Sequence, residues 1–200
     1  AGHVLLNNKD ITVWSNRSFA QEVAYLPQHL PAATGLTARE LILMGRYAWH
    51  GLLGRYTQED FEIVEQALAL THTERFADQL VDVLSGGERQ RIWLAMCLAQ
   101  QSKFLLLDEP LAALDIAHQV EVMQLVHHLA RHLDITIIIV IHDINLAAQY
   151  CDELLALHQG RLMHQGSPDT VMNSAVLKDI YSVDMHIMSH PITNAPVALV

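Results

Sequence analysis

Apolar positions change their period twice along the chain, and the changes predict segments of different kinds. Two short strand-like runs come first, Val4–Leu6 and Val23–Leu26, joined through an Asn7-Asn8 turn signal and a polar stretch. Val4–Leu6 is expected to lie in mid-sheet. From about residue 30 the pattern becomes helical. Thr37-Ala38-Arg39-Glu40 has the T-x-x-E form of a capping box and precedes Leu41, Leu43 and Met44. Thr57 is a second N-cap candidate, with Phe61, Val64, Ala67 and Leu68 spaced to form one apolar helical face. Ser85-Gly86-Gly87-Glu88 is a third box, opening a helix through roughly Gln100.

The period then shifts. Phe104–Leu107 is a continuous apolar run, as expected of a strand buried on both faces of a parallel sheet. Val122, Leu125, Val126 and Leu129 mark an amphipathic helix, and Ile137–Ile141 predicts a second buried strand. Strand, helix and strand in that order predict a βαβ unit with parallel pairing and a right-handed crossover. Leu154–Leu157 and Arg161–His164 flank Gln159-Gly160 as a hairpin would. Ser167-Pro168, with proline at a first helical position, opens a short helical tail. No repeat or low-complexity linker interrupts the pattern. The fold class is α/β, a core interrupted by a helical lobe between about residues 30 and 100.

Composition narrows the function. With 51% hydrophobic and 17% charged residues among 200, the chain has enough apolar material for a packed core. The net charge of −10 disfavours a nucleic-acid-coating protein, which needs clustered Lys and Arg, but leaves nucleotide binding open. Cys97 and Cys151 make no disulfide framework, so a reducing cytoplasm is expected. Ile137–Ile141 is far too short for a span of about 20 residues, and no signal peptide opens the chain. Membrane association must come through a partner. The first residue is Ala1 and not Met, which hints at truncation, although processing also leaves such ends.

Four features carry candidate chemistry. In Leu84-Ser85-Gly86-Gly87-Glu88-Arg89-Gln90-Arg91 a serine and two glycines at a helix start offer N–H groups and a hydroxyl to an anion. Ser-Gly-Gly alone would be an ordinary capped helix; the eight-residue string is harder to reach by chance. In Leu105-Leu106-Leu107-Asp108-Glu109-Pro110, Asp108 at a strand end could hold Mg²⁺ through water, and Glu109 could polarise the attacking water. A solvated acidic turn is the plainer alternative. His142 ends the next predicted strand, at the sheet edge where α/β proteins bind ligands, and could contact a γ-phosphate or orient the base. Gln28 ends the strand Val23–Leu26, where it could reach a metal ion or water.

In this order Gln28, Ser85-Gly86-Gly87, Asp108-Glu109 and His142 resemble the nucleotide-binding domain of ABC transporters, over nearly the whole chain. The resemblance implies a P-loop NTPase-type core at 1–29 and 102–166, a helical subdomain at 30–101 and a helical tail at 167–200. By the same resemblance Gln28 is the Q-loop, Ser85, Gly86, Gly87 and Glu88 the signature, Asp108 and Glu109 the Walker B pair, His142 the H-loop and Asp115 the D-loop. ATP and Mg²⁺ are the implied cofactors. Asp108 and Gln28 face the metal, Glu109, His142 and Gln28 serve hydrolysis, and the signature, Asp115, His142 and Gln28 line the nucleotide. Leu111-Ala112-Ala113 replaces residues that are often hydroxylated in relatives. No G-x-x-x-x-G-K-[ST] string occurs, so the cradle for the β- and γ-phosphates is absent. In the family it precedes the strand resembling Val4–Leu6. The chain is therefore expected to be a truncated copy that as it stands neither binds nor hydrolyses ATP appreciably.

Further strings, Gly45–Gly51, Leu114–Gln119 and Gln149–Asp152, together with His190-Pro191 and Ala195-Pro196-Val197, resemble iron-siderophore importers, ferric-hydroxamate importers above all. Related importers of haem, vitamin B12 or catecholate siderophores are the alternatives. The implied partners are a second cassette in a homodimer, an integral-membrane permease and, indirectly, a periplasmic siderophore-binding protein, at the cytoplasmic face of the bacterial inner membrane. Leu30-Pro31 and Tyr47–Tyr56 are apolar enough to line a permease groove, though ordinary lobe packing would account for them as well, and charges at Trp49 or Leu52 are expected to uncouple transport. His128 and His132 share a helix face but draw no third ligand in sequence and are expected to be solvated. Two rivals remain: a non-transport ABC ATPase of DNA repair or translation, lacking support from the acidic charge, and a degenerate cassette acting only as an interaction module.

Overall fold

The computed structural model describes residues 2–51, 54–112, 114–192 and 194–200; Ala1, Leu52 and Ala113, which carry sequence expectations, lie outside them. The chain divides into two units, 1–140 and 141–200.

The first unit begins with a hairpin of β1 (Leu5–Leu6) and β2 (Lys9–Asp10), whose turn residues Asn7 and Asn8 have φ of 51° and 61°. Asparagine tolerates this left-handed backbone, and a two-residue hairpin turn requires it. Among the described residues the Val4–Leu6 run pairs with its own hairpin neighbour, and not within the larger sheet as expected. The polar stretch that follows holds an element missed in the sequence, helix α1 (Asn16–Glu22), capped by Ser15 through the Ser18 N–H. Its apolar content is too low to announce itself. Strand β3 (Val23–Leu26) comes next.

Helices α2 (Ala38–Met44), α3 (Tyr47–His50), α4 (Gln58–Leu70) and α5 (Gly86–Ala99) form the lobe. The capping boxes at Thr37 and Ser85 form as expected. At Thr57 the Asp60 carboxylate accepts from both the backbone N–H and the hydroxyl. Leu41, Ile42, Val64, Leu68 and Ile92 are fully buried. The buried α4 face differs from the predicted one in a single member: Ile63 joins Val64, Ala67 and Leu68, while Phe61 stays exposed. Gly45 lets α2 end directly against the Met96 carbonyl of α5, space that a Cβ would fill.

An ion pair sits inside this lobe. Arg46 Nε donates to Asp60 Oδ1 at 2.8 Å, and its Nη1 donates to the Ala99 carbonyl at 2.9 Å. His50 Nε2 lies 2.9 Å from the same carboxylate oxygen. Burial would raise the Asp60 pKa, but hydrogen bonds from Thr57, Arg46 and His50 outweigh it and hold the carboxyl far below its ordinary range.

Strand β4 (Phe104–Asp108), helix α6 (Ile116–His132) and strand β5 (Thr136–Val140) complete the unit. The sheet is parallel throughout, in the order β3-β4-β5, as the βαβ pattern predicts. Ala24, Leu26, Leu105 and Leu107 form its buried face. Leu26 and Leu107 meet Leu94 of α5 and Val122 and Val126 of α6 around one small crevice. The opposite face corrects the expectation of strands buried on both sides: Ile138 is 50% and Val140 46% exposed.

The second unit contains α7 (Ile144–Tyr150), the hairpin of β6 (Leu154–His158) and β7 (Arg161–Gly166), α8 (Pro168–Val171), α9 (Ser174–Tyr181), and a hairpin of β8 (His186–Ser189) and β9 (Pro196–Leu199). Gln159 and Gly160 take positive φ at the predicted hairpin turn. The tail is helical only as far as Tyr181, because residues 186–199 pair as strands. Ala148, Met172, Leu177 and Ala198 form this unit's core. No helix among the described residues is long and apolar enough to cross a membrane.

Candidate functional site

Parallel pairing of β3 with β4 runs from Val23↔Phe104 to Leu26↔Leu107. Side chains alternate along a strand, so Tyr25 shares a face with Leu106 and Asp108. The Tyr25 hydroxyl donates to Asp108 Oδ2 at 2.9 Å. That bond, with burial and the carboxylate's charge, raises the phenol's pKa. Just past the strand, Gln28 Nε2 donates to Glu109 Oε2 at 2.5 Å. Both acidic residues at the end of β4 are therefore held by side chains from β3 or the residues following it.

Glu109 has φ of +47° and precedes Pro110. A non-glycine residue avoids that region, and a residue before proline normally stays extended. The cost is about 1–3 kcal/mol. The turn it makes, with the Ala112 N–H donating to its carbonyl, carries the chain sharply out of the strand.

The donor set is one of hard oxygens: two carboxylates and the amide oxygen of Gln28. Among the described residues no cluster of three or more His, Cys, Asp or Glu could enclose a metal. Mg²⁺ does not require such a cage, since it commonly takes one or two carboxylates and completes its shell with water and substrate phosphates. The residues fit a magnesium nucleotide better than a protein-caged ion.

At the start of α5, the Ser85 N–H and hydroxyl both donate to Glu88 Oε2, at 2.9 and 2.7 Å. Hydrogen bonds from the Ser85 hydroxyl and N–H outweigh the opposing effect of burial and, with lesser help from the Arg75 and Arg91 charges, hold the Glu88 carboxyl below its usual range. Glu88 thus caps the helix, and as a carboxylate it offers an anion no donor. The N–H groups of Gly86 and Gly87 sit in the first turn, which has no internal acceptors. A Cβ at Gly86 would meet nothing within 4 Å. An exposed, positively polarised helix start of this kind fits a phosphate.

Asp115 caps α6, accepting from the His118 N–H at 2.9 Å and lying 2.8 Å from His118 Nδ1. These bonds, backbone first, keep its carboxyl below the ordinary value. His142 is exposed and belongs to the second unit, immediately before Asp143, the cap of α7. The His128 and His132 rings stack 4.0 Å apart, and His132 Nδ1 lies 2.8 Å from the His128 carbonyl. Cys97 is buried against the Tyr25 carbonyl, and burial pushes its thiol up to about 12.

Two residues were missed in the sequence, Tyr25 and His118. The first was discoverable from strand parity, since positions 25 and 108 face the same way when β3 and β4 pair in parallel. The second stands three residues after a capping Asp, where a donor closes the turn.

Residues 1–112 match the family model described as ABC transporter. The achromobactin transport ATP-binding protein of Dickeya dadantii is 41% identical over 198 residues, covering 99% of this chain and 74% of that protein. The iron(3+)-hydroxamate import ATP-binding protein of Bacillus subtilis is 42% identical over 199 residues, covering 100% and 74%. Among solved structures, the dimeric structure of a bacterial ABC transporter cassette matches with a TM-score of 0.70 at 25% identity, covering 84% of this chain and 74% of that one. An ATP-binding cassette in its ADP conformation shares the fold, with a TM-score of 0.79 at 20% identity over 91% and 76%. The chain belongs to the ABC transporter family, as one of its ATP-hydrolysing cassettes.

Proposed function

We propose that this cassette energises import of a ferric hydroxamate siderophore. The observation that carries the catalytic part is the pair of bonds Tyr25–Asp108 and Gln28–Glu109, which hold two carboxylates at the carboxyl end of a parallel sheet. The substrate class is supported by the 42% identity to a protein named for iron(3+)-hydroxamate import. A specific observation favours a second reading. Proteins named for ferric enterobactin transport and hemin import are 36% and 37% identical, so a catecholate siderophore or haem is the alternative cargo.

Each residue has a role in this reading. Asp108 and the Gln28 amide oxygen would hold Mg²⁺, which would supply neutralisation of phosphate charge. Glu109 polarises the attacking water, and its bond to Gln28 fixes the carboxylate in place. The first-turn N–H groups of Gly86 and Gly87, with Ser85, take the nucleotide of a second cassette, and Asp115 lies at the same seam. His142 orients the water or the γ-phosphate. The 200 residues hold no phosphate cradle, and none of them is assigned that task. Residues 1–29 and 102–166 make the ATPase core, 30–101 the helical subdomain and 167–200 the tail. The partners are a second copy and a permease, at the cytoplasmic face of the inner membrane, with a periplasmic binding protein delivering the siderophore. Tyr47, Trp49 and Tyr56, all well exposed, suit the permease contact.

The test is uptake of labelled iron by cells carrying Asp108→Asn in the native transporter, with iron presented as ferric hydroxamate, ferric catecholate or haem. Loss of hydroxamate uptake alone is expected. Normal hydroxamate uptake with loss of either other cargo would move the assignment to that cargo.

A further inference from the structure

Gly87 and Asp115 lie 28 positions apart, yet one side chain touches both. A Cβ built on Gly87 would stand 2.8 Å from Cδ2 of His118 and 3.3 Å from its Cγ. The same imidazole has its Nδ1 2.8 Å from Asp115 Oδ1. Because the carboxylate is ionised, the ring nitrogen is the donor in that bond. Gly86, one residue earlier, has open space where its Cβ would be. The two glycines therefore differ. At Gly86 the missing side chain leaves room toward solvent, whereas at Gly87 the room is already occupied by His118.

We propose that His118 is a positioning residue that ties the turn at Asp115 to the start of α5, and that Gly87 is glycine because the imidazole takes the place of its side chain. This rests on the reading that both turns face the nucleotide of a second cassette. In that setting the ring sets the spacing between the Gly87 N–H and the Asp115 carboxylate, so that a shift in one turn is carried to the other. A methyl at Gly87 would not unfold the helix, because the group it meets is a ring able to swing away. It would displace the ring and break the bond to Asp115.

The contact is tested in the 200-residue chain by NMR of the imidazole signals, with His118 assigned from their loss in His118→Ala. Gly87→Ala is expected to shift the His118 signals while Gly86→Ala leaves them in place; unchanged signals in Gly87→Ala would overturn the contact. The functional tie is tested in the assembled transporter through the ATP concentration giving half-maximal hydrolysis. Gly87→Ala and His118→Ala are each expected to raise it about 5–10-fold, the double variant no more than either single one, and His118→Gln, which keeps a donor for Asp115, to restore most of the loss. Penalties that multiply in the double variant would overturn the tie, since Gly87 would then act independently of the ring. Asp108→Asn serves as the separate control: a rate it leaves intact would defeat the nucleotide-site reading itself, whatever the imidazole signals show.

Discussion

Leu41 on α2 is 2% exposed and Ile138 on β5 is 50% exposed, although both are aliphatic residues in regular elements of the first unit. The helical lobe buries Leu41, Ile42, Val64, Leu68 and Ile92 and an ion pair with them. The sheet buries one face against α5 and α6 and leaves Tyr25, Ile138 and Val140 open on the other. Parallel sheets normally have both faces covered. The lobe core is buried where this sheet face is open, and the acidic residues at the sheet's carboxyl end are held by side-chain hydrogen bonds. Asp108 and Glu109 are positioned by Tyr25 and Gln28 and not by deep burial.

Breaking the ion pair should give the largest change in stability. Asp60→Ala leaves Arg46, 6% exposed, without its carboxylate, and such uncompensated buried charges cost about 3–5 kcal/mol. Urea unfolding of the two proteins measures this directly, and a loss under 1 kcal/mol would mean that the lobe is not the stable part. Next comes the pair that defines the comparison. Leu41→Ala should cost about 2–5 kcal/mol as a core truncation, whereas Ile138→Ala should cost about 1 kcal/mol or less, because half its surface already meets water. Equal costs would erase the contrast between lobe and sheet.

The smallest effect is one of pH. The Asp60 carboxyl titrates below its ordinary value of 3.8 when folded. Its contribution is therefore fully present above the unfolded pKa and is lost as pH falls through the folded one. The stability gap between the native protein and Asp60→Asn should stay wide at neutral pH and narrow only below about pH 4. A gap that closes between pH 7 and 5 would point to another group.

Much of this was legible in the sequence. The capping signals at Thr37, Thr57 and Ser85 and the βαβ order are local, and they located α2, α4, α5, β4, α6 and β5. The acidic pair and the Ser-Gly-Gly turn stand out in the sequence because the chemistry proposed for them would require fixed residue types at fixed positions. What escaped depends on contacts distant in sequence. The Ile137–Ile141 run has the composition of a buried strand, but burial is set by what covers a strand, and composition does not supply that. Val4–Leu6 could not be told from a sheet strand because two apolar residues pair equally well with a hairpin neighbour. Tyr25 and His118 looked ordinary because their partners, Asp108 and Gly87, lie 83 and 31 positions away.

The most direct measurement is steady-state ATP hydrolysis by the transporter purified from its source membrane, native against Glu109→Gln. The amide keeps the size of the side chain but cannot accept a proton from water, and a general base is worth about 10²–10⁴-fold. A fall of that size, with ATP binding retained, is the predicted result. A rate within twofold of the native one would contradict the assignment of hydrolysis to the carboxylates at the end of β4.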